Sequence, residues 1–321
     1  MRILITGGTG FIGRHLIERL KKNENHLITV VTRNKDGQAI AGCDIVECNL
    51  LNLDEVLNLE NKYDIVYHLA CIKEEKYSYN ELYQANVITT KNILEVAVKW
   101  NIKQFIFAST IGVLGPTPAE GVKEDALYCP QTPYEKTKCE AEKVVLEFNK
   151  KYNLPITIIR PTMVYGVEPV WLDVFKKVKK GIPVMGSGKN YWHLVYVEDV
   201  ADVLLLVLGN KKAYGQIFNI ADQEPMTYEN VYKAFRRGLG LPAVTTRIPI
   251  WLVNIVALFY EFVSRFSNKD PIITRSYIKR LTRQRRIDIS KAQNVLEYMP
   301  KYSCIDGSTK IINEYRERGL L

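Results

Sequence analysis

The sequence predicts an α/β fold, a doubly wound parallel sheet with helices on both faces, followed by a smaller C-terminal region. Three observations carry this. Short apolar runs of strand length alternate with longer stretches of helical periodicity through the first half of the 321-residue chain. A glycine-rich loop, TGGTGFIG from Thr6 to Gly13, directly follows the first run. Right-handed crossovers through the intervening helices wind such strands into one parallel sheet.

The elements follow in order. RILIT at 2–6 is apolar between its ends, as a strand buried on both faces must be. The pattern turns helical over 13–22. LITVVT at 27–32 is a second strand, rich in β-branched residues. Residues 44–47 and 64–68 are the third and fourth strands, and 81–100 is a helix. QFIFAS at 104–109 is the fifth strand, 134–152 a long helix, and 156–160 the sixth strand. After Pro161 the pattern becomes irregular. Strands are expected at 194–197 and 217–220, and helices at 200–208, 227–239, 249–266, 290–298 and 305–318. The expected division is residues 1–165 against 166–321, with a segment near 194–220 returning to the first unit. No internal repeat or low-complexity tract interrupts the chain.

Composition narrows the class. With 47% hydrophobic and 25% charged residues the chain has ample core for one large domain, or one plus a smaller one. Met1-Arg2 runs straight into the first strand with no signal peptide, which points to a cytoplasmic protein. The six cysteines show no CxxC and no regular framework, so free thiols are expected. The four histidines lack metal-ligand spacing, and no metal is expected. The net charge of +9 comes without any nucleic-acid-binding module. Anionic phosphates of a ligand or an acidic membrane surface can account for some of that charge, and solvated surface for much of it.

Gly7, Gly10 and Gly13 lie between a strand and a helix, the context that gives a glycine spacing meaning. Glycines there let the backbone turn sharply and approach a pyrophosphate at the helix N-terminus, so a dinucleotide is expected. Farther on, Tyr134 and Lys138 stand four residues apart, one turn on one helix face. A nearby ammonium favours the phenolate of a tyrosine whose ordinary pKa is about 10. Such a tyrosine can take a proton from an alcohol as hydride leaves, or return one to a forming alkoxide. Ser109-Thr110 is a hydroxyl pair closing the fifth strand.

The GxxGxxG loop, the YxxxK pair, Ser109-Thr110 ahead of Gly115, and RPTMVYG at 160–166 together resemble the extended branch of the short-chain dehydrogenase/reductase superfamily. Its members include the NAD-dependent epimerase/dehydratase group and the 3β-hydroxysteroid dehydrogenase-like proteins. The resemblance implies a Rossmann domain over 1–165 and a mostly substrate-binding region over 166–321. It places catalysis on Thr110, Tyr134 and Lys138, with Asn86 in Ala85-Asn86-Val87 supporting a proton relay. It places the cofactor against Gly7, Gly10, Phe11, Ile12, Gly13 and Arg14, then Asn49-Leu50 and Leu69-Ala70, then Pro161-Thr162. On the substrate side it points to Ser109, Tyr165, Trp192 and His193. It also implies a homodimer through the helices at 81–100 and 134–152.

Two questions stay open at this level. An acid at the end of the second strand would favour NAD. The chain has Arg33-Asn34 there, with no acid until Asp36, so Arg33, assisted by Arg14, is expected to meet a 2′-phosphate and favour NADP over NAD. The substrate is the second question. Sugar-nucleotide dehydratases resemble this chain but carry Asp-Glu where it has Ile111-Gly112, which cannot do acid-base work. Many sugar-nucleotide enzymes have Arg-Asp where it has Trp192-His193, although Lys189 or basic residues from Lys279 to Arg286 can substitute. The stretch at 248–266 is apolar, interrupted at Asn254, Glu261, Ser264 and Arg265, and is followed by basic residues including Lys269, Arg275 and Lys279, against Asp270 alone. It suits a lid or core helix, or a helix in peripheral contact with a membrane. The expected activity is therefore an NAD(P)-dependent oxidoreductase interconverting a secondary alcohol and a ketone on a small, apolar, steroid- or lipid-like substrate. The alternative is a UDP-sugar 4-epimerase or nucleotide-4-keto-sugar reductase.

Overall fold

The computed structural model describes residues 1–35, 40–59, 62–74, 76–264, 266 and 273–321. Asp36, Arg265, Lys269 and Asp270 lie outside the described residues.

Seven strands form one parallel sheet: β1 (Arg2–Thr6), β2 (Leu27–Thr32), β3 (Asp44–Glu47), β4 (Ile65–His68), β5 (Gln104–Ala108), β6 (Ile156–Pro161) and β7 (Gln216–Ile220). Their order is 7-6-5-4-1-2-3, and every neighbouring pair is parallel. The strand order reverses between β1 and β4. Open α/β sheets bind ligands at that reversal, outside the carboxyl ends of the strands.

The apolar runs of the strands reflect burial on two faces. Along β1, Ile3 and Ile5 join one core with Leu16, Ile17 and Leu20 of the Phe11–Leu20 helix, while Leu4 joins the other core with Ile93, Leu94 and Val145. β5 divides in the same way, Ile106 to one side and Phe105 and Phe107 to the other. The helices of the second layer are Thr89–Trp100 and Pro133–Tyr152. Gln104 is a fully buried polar residue at the start of β5. Its Nε2 donates to Thr157 Oγ1 at 3.0 Å and to the Val207 carbonyl at 2.8 Å, and its Oε1 accepts from the Gly209 amide at 2.8 Å, so no polar atom of its amide is stranded.

Helix limits differ from the sequence pattern in informative ways. The first helix begins at Phe11, two residues earlier than the periodicity suggests, because Gly10 is its N-cap. The helix expected at 81–100 is Tyr79–Tyr83 and Thr89–Trp100 joined by a π-helical turn, Gln84–Ile88, that carries Asn86.

A third core, rich in aromatic rings, lies beyond Pro161. Tyr165, Trp171, Phe175, Trp192, Tyr228 and Phe235 pack there between the helices Pro169–Lys179, Tyr228–Gly238 and Cys304–Glu317. The chain crosses repeatedly between this core and the sheet. The Val197–Leu206 helix lies against Phe11–Leu20, and β7 completes the sheet edge. It returns once more than the sequence pattern indicates, since Ile287, Ala292, Leu296 and Tyr298 also belong to the first core. All six cysteines are free thiols.

Candidate active site

The glycine loop is shaped by close backbone approach. Gly7 has φ +73°, and a Cβ there would lie 2.7 Å from the Ala70 nitrogen. At Gly13 a Cβ would lie 2.3 Å from the Gly7 carbonyl oxygen and 2.7 Å from Gly8 Cα. The Gly10 amide donates to the Gly7 carbonyl at 3.0 Å, closing the turn. The helix that follows has no side-chain cap and no acid in its first turn. Its leading amides are therefore available to an anion, at the end of the helix where the dipole favours negative charge. Phe11 and Ile12 are half-buried behind the loop. Gly166 is the seat for the Phe11 ring, which a Cβ there would approach to 2.7 Å, so the RPTMVYG segment and the glycine loop are built against each other.

The opposite wall comes from β4. Leu69 and Ala70 press their backbone on Gly7, and the Leu69 amide donates to the Thr6 carbonyl at 3.1 Å. His68 stands just behind them, fully buried. Thr90 donates to the Asn86 carbonyl at 2.6 Å, so its oxygen accepts from His68 Nε2 at 2.9 Å, and Thr6 Oγ1 serves His68 Nδ1 at 2.7 Å. Burial, then the Lys138 charge, push the imidazole down to about 3, so it is a neutral tie between β1, β4 and the Thr89–Trp100 helix. Farther out, Leu50 is buried and Asn49 exposed. Asn49 Oδ1 accepts from the Leu51 amide at 3.1 Å, and Asn92 Nδ2 donates to the Leu50 carbonyl at 2.9 Å, fixing that loop. Sequence reasoning passed over Asn92, a polar residue on a buried helix face.

The glycine loop calls for one test. Alanine normally favours a helix over glycine by about 1 kcal/mol. At Gly13 the 2.3 Å approach to backbone overrides that preference, and Gly13→Ala is expected to lose dinucleotide binding by more than about 2 kcal/mol, whereas Gly10→Ala, with only the Gly7 oxygen at 3.1 Å, is expected to bind more nearly normally. Calorimetric titration of both variants decides it. Equal affinities for Gly13→Ala and the native chain would discard the steric argument.

Thr110 follows the carboxyl end of β5, and Lys138 reaches that end through the Ala108 carbonyl. Tyr134 and Lys138 open the Pro133–Tyr152 helix, which starts with a capping box between Thr132 and Glu135 and a proline at its first position. Lys138 is buried, donates to the Ala108 carbonyl at 2.7 Å, and lies 4.1 Å over the Phe107 ring. Burial lowers its pKa, while Cys71 and Glu142 act the other way. Burial raises the Tyr134 phenol well above its ordinary value, and the neighbouring Cys71 and Glu135 add to this. Thr110 caps a short 3-10 turn, Ile111–Leu114, and its oxygen accepts from the Gly112 amide at 3.1 Å. Ser109 Oγ and Thr162 Oγ1 are buried hydroxyls with no hydrogen-bond partner among the described residues. Pro161 is buried at the end of β6 beside Thr162.

Asn86 does not contact Lys138 here. Its Oδ1 accepts from the Ile72 amide at 2.8 Å, and its Nδ2 donates to the Ile72 carbonyl at 2.9 Å and to Thr137 Oγ1 at 3.0 Å. Thr137 in turn donates to the Tyr134 carbonyl at 2.9 Å. Asn86 therefore fixes the segment carrying Cys71 and, through Thr137, the first turn of the Pro133–Tyr152 helix. Cys71 and Thr137 carry no motif, and only the fold brings them here.

The fold uses the polar atoms of Tyr165, Trp192 and His193, the residues expected on the substrate side. Tyr165 donates to the Ser303 carbonyl at 3.0 Å. Trp192 donates to the Leu281 carbonyl at 2.8 Å and stacks on Tyr228 at 4.5 Å, so it is core and not an open wall. His193 Nε2 meets the Asp222 carbonyl at 2.8 Å, its Nδ1 accepts from the Ile287 amide at 3.3 Å, and burial pushes it down to about 4. What reaches the catalytic helix instead is the chain after 282. Glu135, next to Tyr134, takes Arg283 at 2.6 Å and Arg285 at 3.5 Å, all three carrying little exposure.

A dinucleotide fits this arrangement: the cradle is one that a Cβ would fill, the helix amides are uncapped, and unpartnered hydroxyls face the strand ends. The NAD dependent epimerase/dehydratase family model matches residues 3–221. The chain belongs to that family. It is an enzyme of the extended short-chain dehydrogenase/reductase type, as the motifs imply. The chain is 28% identical to a UDP-glucose 4-epimerase of Vibrio cholerae, over 95% of this chain and 92% of that one. It is 25% identical to a 3beta-hydroxysteroid-dehydrogenase/decarboxylase isoform 1 of Arabidopsis thaliana, over 97% and 79%. The solved UDP-glucuronic acid 4-epimerase from Bacillus cereus, in complex with UDP-glucuronic acid and NAD, shares the fold at a TM-score of 0.78 and 24% identity, over 99% of this chain and 100% of that one. The family is described by NAD, and the NADP preference read from Arg33 finds no support. Arg33 is exposed at the end of β2, and Arg14 is turned to Glu168 at 2.8 Å.

Proposed function

We propose that the protein is an NAD-dependent nucleotide-sugar 4-epimerase acting on a UDP-hexose. This corrects the emphasis on an apolar ketone. The observation that carries the reading is the pair Arg283 and Arg285, delivered beside Glu135 at the start of the catalytic helix, each with a buried Nε that has no partner among the described residues. Two guanidiniums sharing one carboxylate leave positive charge on the substrate side, which suits a diphosphate and opposes a steroid. The names of the Vibrio and Bacillus relatives support the same choice. Elimination of water is disfavoured because Ile111-Gly112 offers no acid or base, and a Cβ at Gly112, 2.8 Å from Glu135 Cγ, would have to displace that side chain.

In this reading the glycine loop and the amides after Gly10 hold the pyrophosphate, with Leu69, Ala70, Pro161 and Thr162 along the cofactor's path. The chemistry the cofactor supplies is hydride acceptance and return. Tyr134 takes the proton of the sugar hydroxyl on oxidation and gives it back on reduction. Lys138 supplies positive charge to that exchange, and Thr110 orients the oxygen. Asn86, through Thr137, holds Tyr134 in place.

An epimerase needs no net oxidant, so it is expected to retain its cofactor and to interconvert UDP-glucose and UDP-galactose, or their uronic acids, with none added. Denaturing the purified protein and assaying the supernatant for NAD measures the first, and sugar analysis of the equilibrated nucleotide measures the second. Turnover of ketosteroids only with added NAD(P)H, and no turnover of any UDP-hexose, would sink the reading.

A further inference from the structure

The Ile250–Ser264 helix has an unusual distribution of apolar surface. Its inner face is slight: Val253 and Ala257 pack on Ile278, with Met185, Ile248 and Ile273 alongside. Its outer face exposes Trp251 (65%), Ile255 (56%), Phe259 (63%) and Phe262 (57%), a continuous apolar strip about three turns long. Among the described residues no helix is long and apolar enough to cross a membrane. The one acid on the helix, Glu261, is neutralised by Arg275, whose Nε lies 2.8 Å away.

Cations flank the strip. The Arg275–Leu281 helix packs beside it and presents an exposed Lys279. Tyr277 of that helix is the electrostatic neighbour of Lys177 in the Pro169–Lys179 helix, which ends in exposed Lys176, Lys177 and Lys179. The one acid near that end, Asp173, is paired with Lys177. The helix also borders the substrate side: a Cβ at Gly186 would meet Ile250 at 2.8 Å, and Thr282 leads directly to Arg283.

We propose that this helix docks the protein on an anionic bilayer, lying in the plane of the interface with Trp251, Phe259 and Phe262 among the acyl chains and the lysines at the headgroups. Aromatic and aliphatic residues on one side with lysines beside them suit that position. A second copy of the chain suits it less, because a two-fold contact would set the same cations against each other on a protein of net charge +9. The inference stands independently of the sugar substrate.

The test uses the full chain and vesicles of phosphatidylcholine with or without phosphatidylglycerol. Of the four tryptophans, Trp100, Trp171 and Trp192 are buried, so emission from Trp251 reports on the face. Flotation with the anionic vesicles and a shift of emission to shorter wavelength are expected. Binding should weaken roughly tenfold in high salt or without the anionic lipid. Phe259→Glu and Lys279→Glu should each weaken flotation while leaving melting temperature and retained cofactor unchanged. Absence of flotation, equal binding to neutral vesicles, Phe259→Glu floating like the native chain, or a dimer in sedimentation that Phe259→Glu dissolves without any vesicle binding would each overturn the proposal.

Discussion

Tyr134→Phe is expected to lose about 10²–10⁴-fold in turnover, the usual contribution of a positioned proton donor, while binding the cofactor as before. The reasoning rests on where the phenol is and what surrounds it. Burial, then Cys71 and Glu135, raise its pKa, and Lys138 stands one turn along the same helix, where its charge favours the phenolate. Phenylalanine keeps the ring in its packing and removes one oxygen, so the helix start, fixed by Thr132, Glu135 and Thr137, is undisturbed. The glycine loop, built against Ala70 and Phe11, takes no support from that oxygen. Cofactor released on denaturation, together with turnover of the UDP-hexose that the native chain accepts, separates the two effects. A variant within about tenfold of the native rate would remove Tyr134 from the chemistry.

How far the sequence revealed this depended on range. The strands were legible because both sides of the sheet are buried, so that RILIT or QFIFA reads as apolar whichever face a residue takes. The glycine loop was legible because its steric demands are local: Gly7, Gly10 and Gly13 answer to residues within the loop and to one neighbouring strand. Contacts between distant segments were not. Glu135 and Arg283 are 148 residues apart, and nothing near either one announces the other. Trp192 and His193 were placed by position in a motif. Their atoms, however, are taken by Leu281, Asp222 and Ile287, partners that only the folded chain supplies. The strip at 248–266 was visible as apolar, but whether it faced core or solvent depended on how little of it the Arg275–Leu281 helix covers.

The same limit hid the ion pair behind the active site, and its removal is the second large effect. Arg160, in the RPTMVYG segment, is buried with Glu142, one turn beyond Lys138 on the catalytic helix. Its Nη2 lies 2.7 Å and its Nε 2.9 Å from the two carboxylate oxygens, its Nη1 donates to the Glu124 carbonyl at 2.9 Å, and Tyr128 donates to Glu142 at 2.9 Å. Glu142→Gln preserves the shape but leaves a guanidinium in the core without its counter-charge, which costs about 3–5 kcal/mol. The effect extends to Lys138. Burial lowers that lysine's pKa and Glu142 opposes the shift, so without Glu142 the ammonium is lost at lower pH and the alkaline limb of the rate profile moves down. Replacing both partners, Glu142→Leu with Arg160→Met, should recover most of the stability, since an apolar pair needs no desolvation. It should leave the alkaline limb displaced, because Lys138 still lacks its neighbour. Urea unfolding of the three proteins measures the first outcome and rate against pH the second. If Glu142→Gln unfolds within about 1 kcal/mol of the native chain, the ion pair is not what holds the RPTMVYG segment to the catalytic helix.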